Sequence, residues 1–519
     1  MNCKKLRLYI NTIASYSLKQ LYYHCKYIVY KPTFKKVETS NSQLHLKLHP
    51  FIKKPISATA LRVKFLNIEE TFADWNDMRH GALWAYNLSY MDYLCQEGMT
   101  YGEGAKWLDL FCQDIDMHTI ALQPYPTAKR VVNWIKFFSK HQRLEQRWVD
   151  CLYSQCLHLV KTLEYRLSGG NHLLEDGITL FIAGMFFENK SFTNKGCAIV
   201  GQELNKQILP DGAHYEQSPM YHCIVLEGLL DCLNMVSCHM VFANMWHEPI
   251  EHIKQYAIRM LGHLQAIIYA DSSIPLLNDA ARGICAAARD LFDYAYHLEL
   301  DWVLQPLHEC GYRKMENSHM QALVDVGNMT AGYMAGHSHA DTFNYELRVD
   351  GCPFIIDTGV STYNKDTRRQ YERSTKAHNT VVVDGRDSSE VWGGFRVARR
   401  CKVQVLQDSA NEVVAKHSGT FKGGWHKRHF YMSDTSFAID DEIAVGHDGK
   451  SMIHLAPGVK VVAYSAECIR TSVCKIYLEG AISVKVFDTE VATEYNKLLK
   501  NKSIAMSFSG KMKMIIKQI

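Results

Sequence analysis

The chain has 519 residues, 47% of them hydrophobic and 22% charged, with a formal net charge of +4. This length supports two or three domains around a large core, and a mild basic excess with no Lys/Arg run or aromatic-basic platform excludes the signature of a nucleic-acid binder. Sixteen cysteines without a Cys-x-x-Cys pair exclude zinc ribbons and thioredoxin-type redox motifs, and so many free thiols lead us to expect a reducing, cytoplasmic compartment.

In residues 1–30, Leu6, Ile10, Ile13 and Leu21 recur at helical spacing between lysines, which predicts a basic amphipathic helix packed on the rest of the protein and closed by Pro32. Arg7 interrupts the apolar run Leu6 to Ile10, so no secretory core is recognisable, and no later stretch approaches a transmembrane span. Residues 31–65 are polar and Pro-punctuated and read as a connector.

From 66 to 318 the periodicity is helical. The clearest stripe is Val149, Leu152, Tyr153, Cys156, Leu159, Val160 and Leu163, spaced three and four apart. Comparable stripes run through Ile224 to Leu230 and Ile253 to Ile268. From 319 to 519 the period switches to two, with strand candidates at Leu323–Val326, Phe343–Val349, Phe354–Asp357, Thr380–Val383, Glu412–Lys416, His429–Met432, Ile476–Leu478, Ser483–Phe487 and Met512–Ile516. A run of helices followed by a run of strands predicts an α+β multidomain chain with two successive domains rather than alternating units.

Three polar passages interrupt the helical half. Arg79-His80 through Asn87 and Tyr90 mixes hydrogen-bonding groups with aromatic faces, as sugar-gripping surfaces do. Asn171-His172 stands directly before an apolar run, where Asn also serves as a helix cap. Asp211-Gly212 through Tyr215-Glu216 to Tyr221-His222 precedes another helix and also reads as an inter-helix loop.

The strand half opens on His337-Ser338-His339. An Asp350-Gly351 turn joins two strands and brings His339, Asp357 and His378 to neighbouring strand ends, a nitrogen and oxygen set that suits zinc. His337 and His339 share a face on a strand, so one can ligate a metal while the other moves protons. A chain with 25 histidines also produces such pairs by chance.

Together with Pro124-Tyr125-Pro126, Asn133-Trp134, Arg373-Ser374-Thr375 and His378-Asn379-Thr380, these passages follow one another in an order that resembles the heparinase II/III-like polysaccharide lyases from about 70 to 390. The resemblance implies an incomplete (α/α) toroid followed by an antiparallel β-sandwich, with an acidic polysaccharide in the cleft between them. It implies that Asn171, helped by His172, neutralises the uronate carboxylate, and that Tyr221, with Tyr215 as the fallback, is the acid. His337 is the implied catalytic histidine of the second domain. It also implies substrate contacts from Arg79, Asn87, Tyr90, Tyr215, Glu216 and Arg373, and a structural zinc on His339, Asp357 and His378. A uronate C5-epimerase would use the same proton abstraction, and a non-catalytic glycan-binding protein could keep the same fold. The polysaccharide, internal versus chain-end cleavage and the oligomeric state stay open, and so does the compartment, since characterised members of that family are typically periplasmic.

Overall fold

The computed structural model describes residues 3–14, 16–39, 47–168, 170–329, 335–421 and 423–519; Gly169, which precedes the Gly-Asn-His passage, lies outside them. Two helices, Cys3–Ile13 and Leu18–Val29, occupy the N-terminal segment. Ser17 starts the second with a capping box, its hydroxyl accepting from Gln20 N while the Gln20 side chain returns to the Ser17 backbone.

The segment read as a connector differs from expectation. It leads into a three-stranded antiparallel sheet, Ala58–Thr59, Arg62–Phe65 and Ile68–Thr71. Val63 and Phe65 point from it into the helical core, and Phe65 meets Trp84 edge-on at 5.8 Å.

Long helices then follow one another from Ala82–Tyr90 to Ala288–His297. Gln146–Thr162 buries Trp148, Val149, Leu152, Cys156 and Leu159 along one stripe, as the spacing requires. Asn171–Phe186 is buried on nearly every side, which fits its apolar composition and its packing against the helices around it. Pro219–Cys238 begins with Pro at a first-turn position, where its missing N–H costs nothing, and Ser218 caps it by accepting from Tyr221 N.

Beyond residue 311 the chain is mainly antiparallel sheet, with a short helix at Thr367–Glu372. One four-stranded sheet runs Tyr312–Glu316, Met320–Asp325, Tyr345–Val349 and Cys352–Ile355 in spatial order. A second runs Ser483–Glu494, Lys497–Ser509, Asp448–His454 and Val381–Val383. An eight-stranded sheet covers them, ordered Val403–Ser409, Glu412–His417, His426–Ser433, Ser436–Ile443, Lys511–Gln518, Cys474–Glu479, Cys468–Thr471 and Val461–Tyr464. Phe343, Phe354, Phe430, Phe437, Ile453 and Ile504 fill the space between, a core separate from that of the helices.

Polar contacts fasten the halves. Asp211 Oδ2 accepts from Cys310 N at 2.9 Å and His308 N at 3.2 Å, and Tyr312 donates its phenol to Gln217 O. Asp279, on a loop of the helical half, reaches Arg369 of the sheet half. Among the described residues no single helix is long and apolar enough to cross a membrane.

Candidate active site

A cavity of about 650 Å³ lies between the two halves and is lined by Asn171, His172, Tyr221 and His337 together. The volume is in the range of small-ligand sites.

Asn171 is the first residue of its helix, where unpaired backbone N–H groups leave a positive potential. Its own Nδ2 is buried and has no hydrogen-bond partner. A donor desolvated and left unpaired is costly unless something else receives it. His172 beside it stacks on Tyr125 at 4.3 Å and turns Nδ1 to Glu164 Oε2 at 2.7 Å. Burial disfavours a charge on His172, but the Glu164 carboxylate outweighs it and raises the imidazole pKa.

Tyr221 projects from the first turn of the helix that Ser218 caps. Its ring lies on that of His337 with centroids 4.0 Å apart, and its hydroxyl is 3.2 Å from that of Tyr363. Burial pushes the phenol well above its ordinary value of 10, so Tyr221 holds its proton as a donor.

His337 Nδ1 is 2.9 Å from Asp279 Oδ2. A carboxylate only accepts, so Nδ1 carries the hydrogen, which leaves Nε2 as the nitrogen available for a base role. Asp279 also accepts from His339 Nε2 at 2.8 Å and from Arg369 Nη2 at 2.7 Å. Burial opposes its ionisation, yet Arg369 and the two imidazoles hold its pKa well below the usual carboxylate range. Asp279 N further donates to His337 O at 3.1 Å, which fixes the loop as well as the ring.

The expected substrate contacts divide. Asn87, Tyr90 and Glu216 line the cavity, and Glu216 Oε2 is buried without a hydrogen-bond partner, 3.8 Å from His214 Nδ1. Tyr215 does not line it; its hydroxyl donates to Glu216 Oε1 from behind at 3.3 Å. Arg79 is 54% exposed outside the cavity and is held by Asp77 at 2.7 Å. Arg373 is wholly buried and donates to Ser338 O at 2.8 Å, so it supports the loop that carries His337 and His339 rather than facing the cavity.

The three expected metal ligands do not converge as the sequence implied. Asp357 spends its oxygens on His378 Nδ1 at 2.7 Å, on Gly359 N at 2.8 Å and on Asn344 Nδ2, which makes it an orienting partner of His378. His339 Nδ1 and His378 Nε2 are nevertheless buried and partnerless, on rings 5.2 Å apart. Buried lone pairs of this kind are suited to a cation. Among the described residues, the trio whose donor atoms lie within 4.8 Å of one another is Asp211, His263 and Cys310, at the domain seam.

Two family models match this chain, "Heparinase II/III N-terminus" over residues 127–297 and "Heparinase II/III-like, C-terminal" over 301–512. The chain belongs to the heparinase II/III-like family. Curated relatives include a heparin-sulfate lyase of Bacteroides stercoris, 21% identical over 338 residues, covering 60% of this chain and 49% of that protein. Another, from Pedobacter heparinus, is 22% identical over 244 residues, covering 42% of this chain and 36% of its own. The chain thus spans about half the length of the curated relatives it matches. A crystal structure of heparinase III superposes with a TM-score of 0.62 at 15% identity, over 83% of this chain and 77% of that one. A second heparinase III structure gives 0.60 at 17% identity over 86% and 80%. At these identities the likeness is one of fold: the helical toroid and the antiparallel sheets of a heparinase II/III-like protein.

In this heparinase II/III-like site, Asp279, Tyr363, Arg369 and Glu164 escaped the sequence reading. Asn278-Asp279 does stand out as a polar pair after Pro275-Leu276-Leu277. Nothing local signals that it reaches residues 58 to 90 positions away.

Proposed function

We propose that the protein is a polysaccharide lyase that cleaves a uronate-containing chain by β-elimination. One observation carries the reading: the partnerless Nδ2 of Asn171 shares a cavity with a protonated phenol, Tyr221, and an imidazole, His337. The proton next to a uronate carboxylate is too weakly acidic while that carboxylate keeps its full charge. An amide donor aimed at the carboxylate stabilises the enolate-like dianion, an effect worth about 2.7 to 4 kcal/mol per donor in comparable oxyanion sites. The Glu164 carboxylate raises the pKa of His172 and so favours its cationic form, which has the right sign to help.

His337 Nε2 takes the proton, with Asp279 steadying the imidazolium that forms. Tyr221 gives its proton to the departing glycosidic oxygen, and Tyr363 lies close enough to return one. The curated relatives are heparin-sulfate lyases, so sulfated glycosaminoglycans are the first substrates to try, followed by other acidic polysaccharides.

We also assign a structural zinc to this reading, with His339 Nδ1 and His378 Nε2 as the residues that would hold it. Bound there, it would stiffen the loop that presents His337.

The test is incubation of the purified protein with heparan sulfate, chondroitin, hyaluronan, alginate and bacterial exopolysaccharides. An ultraviolet-absorbing unsaturated uronate is the expected product. Deuterium uptake from solvent without that chromophore would replace the lyase reading with an epimerase, and neither signal on any glycan would leave a binding protein.

A further inference from the structure

The cleft is crossed twice by elements that precede the toroid. The helix pair Cys3–Ile13 and Leu18–Val29 is tied to both banks. On the sheet half, Arg7 Nη2 pairs with Glu390 Oε1 at 2.9 Å, Trp392 Nε1 donates to Thr12 Oγ1 at 3.2 Å, and Tyr9 meets the Trp392 ring edge-on at 4.8 Å. On the helical half, Gln20 Nε2 donates to Ser168 O at 3.0 Å, Tyr23 stacks on Tyr165 at 4.8 Å, and Tyr27 donates to Leu163 O. These anchors adjoin the functional groups: Ser168 is three residues before Asn171, and Val397, whose carbonyl accepts from Thr12 Oγ1 at 3.3 Å, is two residues after Phe395, whose ring lies edge-on to that of His337 with centroids 6.0 Å apart.

The second crossing is the turn at Leu66-Asn67. Asn67 Nδ2 donates to Tyr495 O at 2.9 Å and to Glu494 Oε2 at 3.1 Å, and Asn496 Nδ2 answers by donating to Leu66 O at 3.0 Å. Both asparagines sit at positive φ, a conformation that Asn tolerates better than most residues. Thr12, Tyr16 and His24 from the first crossing and Leu66, Tyr495 and Asn496 from the second all face the cavity that holds Asn171, Tyr221 and His337.

The depth of the cavity is polar. Lys54 Nζ pairs with Glu227 at 2.6 Å and Lys136 Nζ with Asp231 at 2.6 Å, and the buried Oδ1 of Asp92 beside them has no partner. Balanced ion pairs with an open acceptor suit the hydroxyl groups of a sugar end.

A groove open at both ends lets a polymer lie across it; a groove roofed on two sides admits only an end. We propose that the two crossings make this a chain-end site, which takes the terminus of an acidic oligosaccharide or polysaccharide and releases short units from it. The inference rests on the lyase reading above and adds to it the mode of attack.

The test follows product size from the first turnovers on a long substrate. Short unsaturated fragments from the outset, with viscosity falling only slowly, are expected. Long fragments and an early fall in viscosity would overturn chain-end attack while leaving the lyase reading intact. If no glycan, long or short, yields an ultraviolet-absorbing product, the lyase reading falls and this inference with it. Asn67→Gly, which keeps the turn but removes the amide bridge, and Arg7→Ala combined with Trp392→Ala should raise internal cleavage relative to short-oligosaccharide cleavage by about tenfold, as expected for a loosened gate. Unchanged product profiles in both variants, with the fold intact by circular dichroism, would show that the crossings do not set the mode.

Discussion

The Tyr221 ring rests on His337 at 4.0 Å with the planes tilted by 33°, so a phenol from a helix and an imidazole from a sheet-half loop line one cavity side by side. Tyr221→Phe keeps the stacking surface and removes the acid. We expect turnover to fall by about 10² to 10⁴-fold with unchanged melting temperature. Equal activity in the variant would mean that another group protonates the leaving oxygen.

Asn171→Ala should cost about 10² to 10³-fold in kcat, the range for losing one donor to a developing oxyanion. Because its Nδ2 has no partner in the protein, stability should hold or improve slightly. A large drop in melting temperature would make Asn171 a structural residue instead.

Asp279 is buried and accepts from Arg369, His337 and His339. Asp279→Ala leaves the Arg369 guanidinium buried and uncompensated, and we expect a loss of about 3 to 5 kcal/mol in urea unfolding. A loss below 1 kcal/mol would mean that solvent or relaxation reaches Arg369.

The His172–Glu164 contact sets a pH signature. His172 has a raised folded pKa, so its contribution is present below its unfolded pKa near 6.5 and lost as pH climbs through the folded value. Glu164 has a lowered one, since its imidazole and Arg166 partners outweigh burial, so its contribution is present above its unfolded pKa near 4.3 and lost in acid. Tyr125 packs on the imidazole, while Arg166 and Glu216 act on it with opposite signs. Replacing His172 with Gln should therefore destabilise the protein most between about pH 5 and 6.5, and less at pH 9. A penalty that grows with pH would contradict the pairing.

Metal analysis of the purified protein separates two loci. His339→Ala and His378→Ala should each abolish bound zinc if the assigned site is occupied. If zinc persists in both and vanishes in Cys310→Ser, the ion belongs to Asp211, His263 and Cys310.

Much of the architecture was legible because period is a local property. The stripe from Val149 to Val160 lies within a helix that ends at Thr162, one residue short of Leu163, and Phe354–Asp357 became the strand Cys352–Ile355. What escaped was short or charged. Arg62-Val63-Lys64-Phe65 does alternate exposed and buried, but four residues are too few to distinguish from chance, and Tyr312–Glu316 hides its strand under Arg313 and Lys314. The site was legible only where a residue acts on its own, as Asn171, Tyr221 and His337 do in lining one cavity. Arg373 and Asp357 were given contact roles because their types suit anions and metals. Their commitment to Ser338 and His378 depends on packing that sequence spacing does not encode.

Because Asp279 belongs to the toroid and grips His337 from the opposite half, neither half alone holds an aligned base. Separating the halves would unhook the imidazole from its anchor before either core melts. On the proposed lyase reading, elimination would then vanish ahead of any spectroscopic sign of unfolding, making turnover the most sensitive gauge of whether the two halves are seated together.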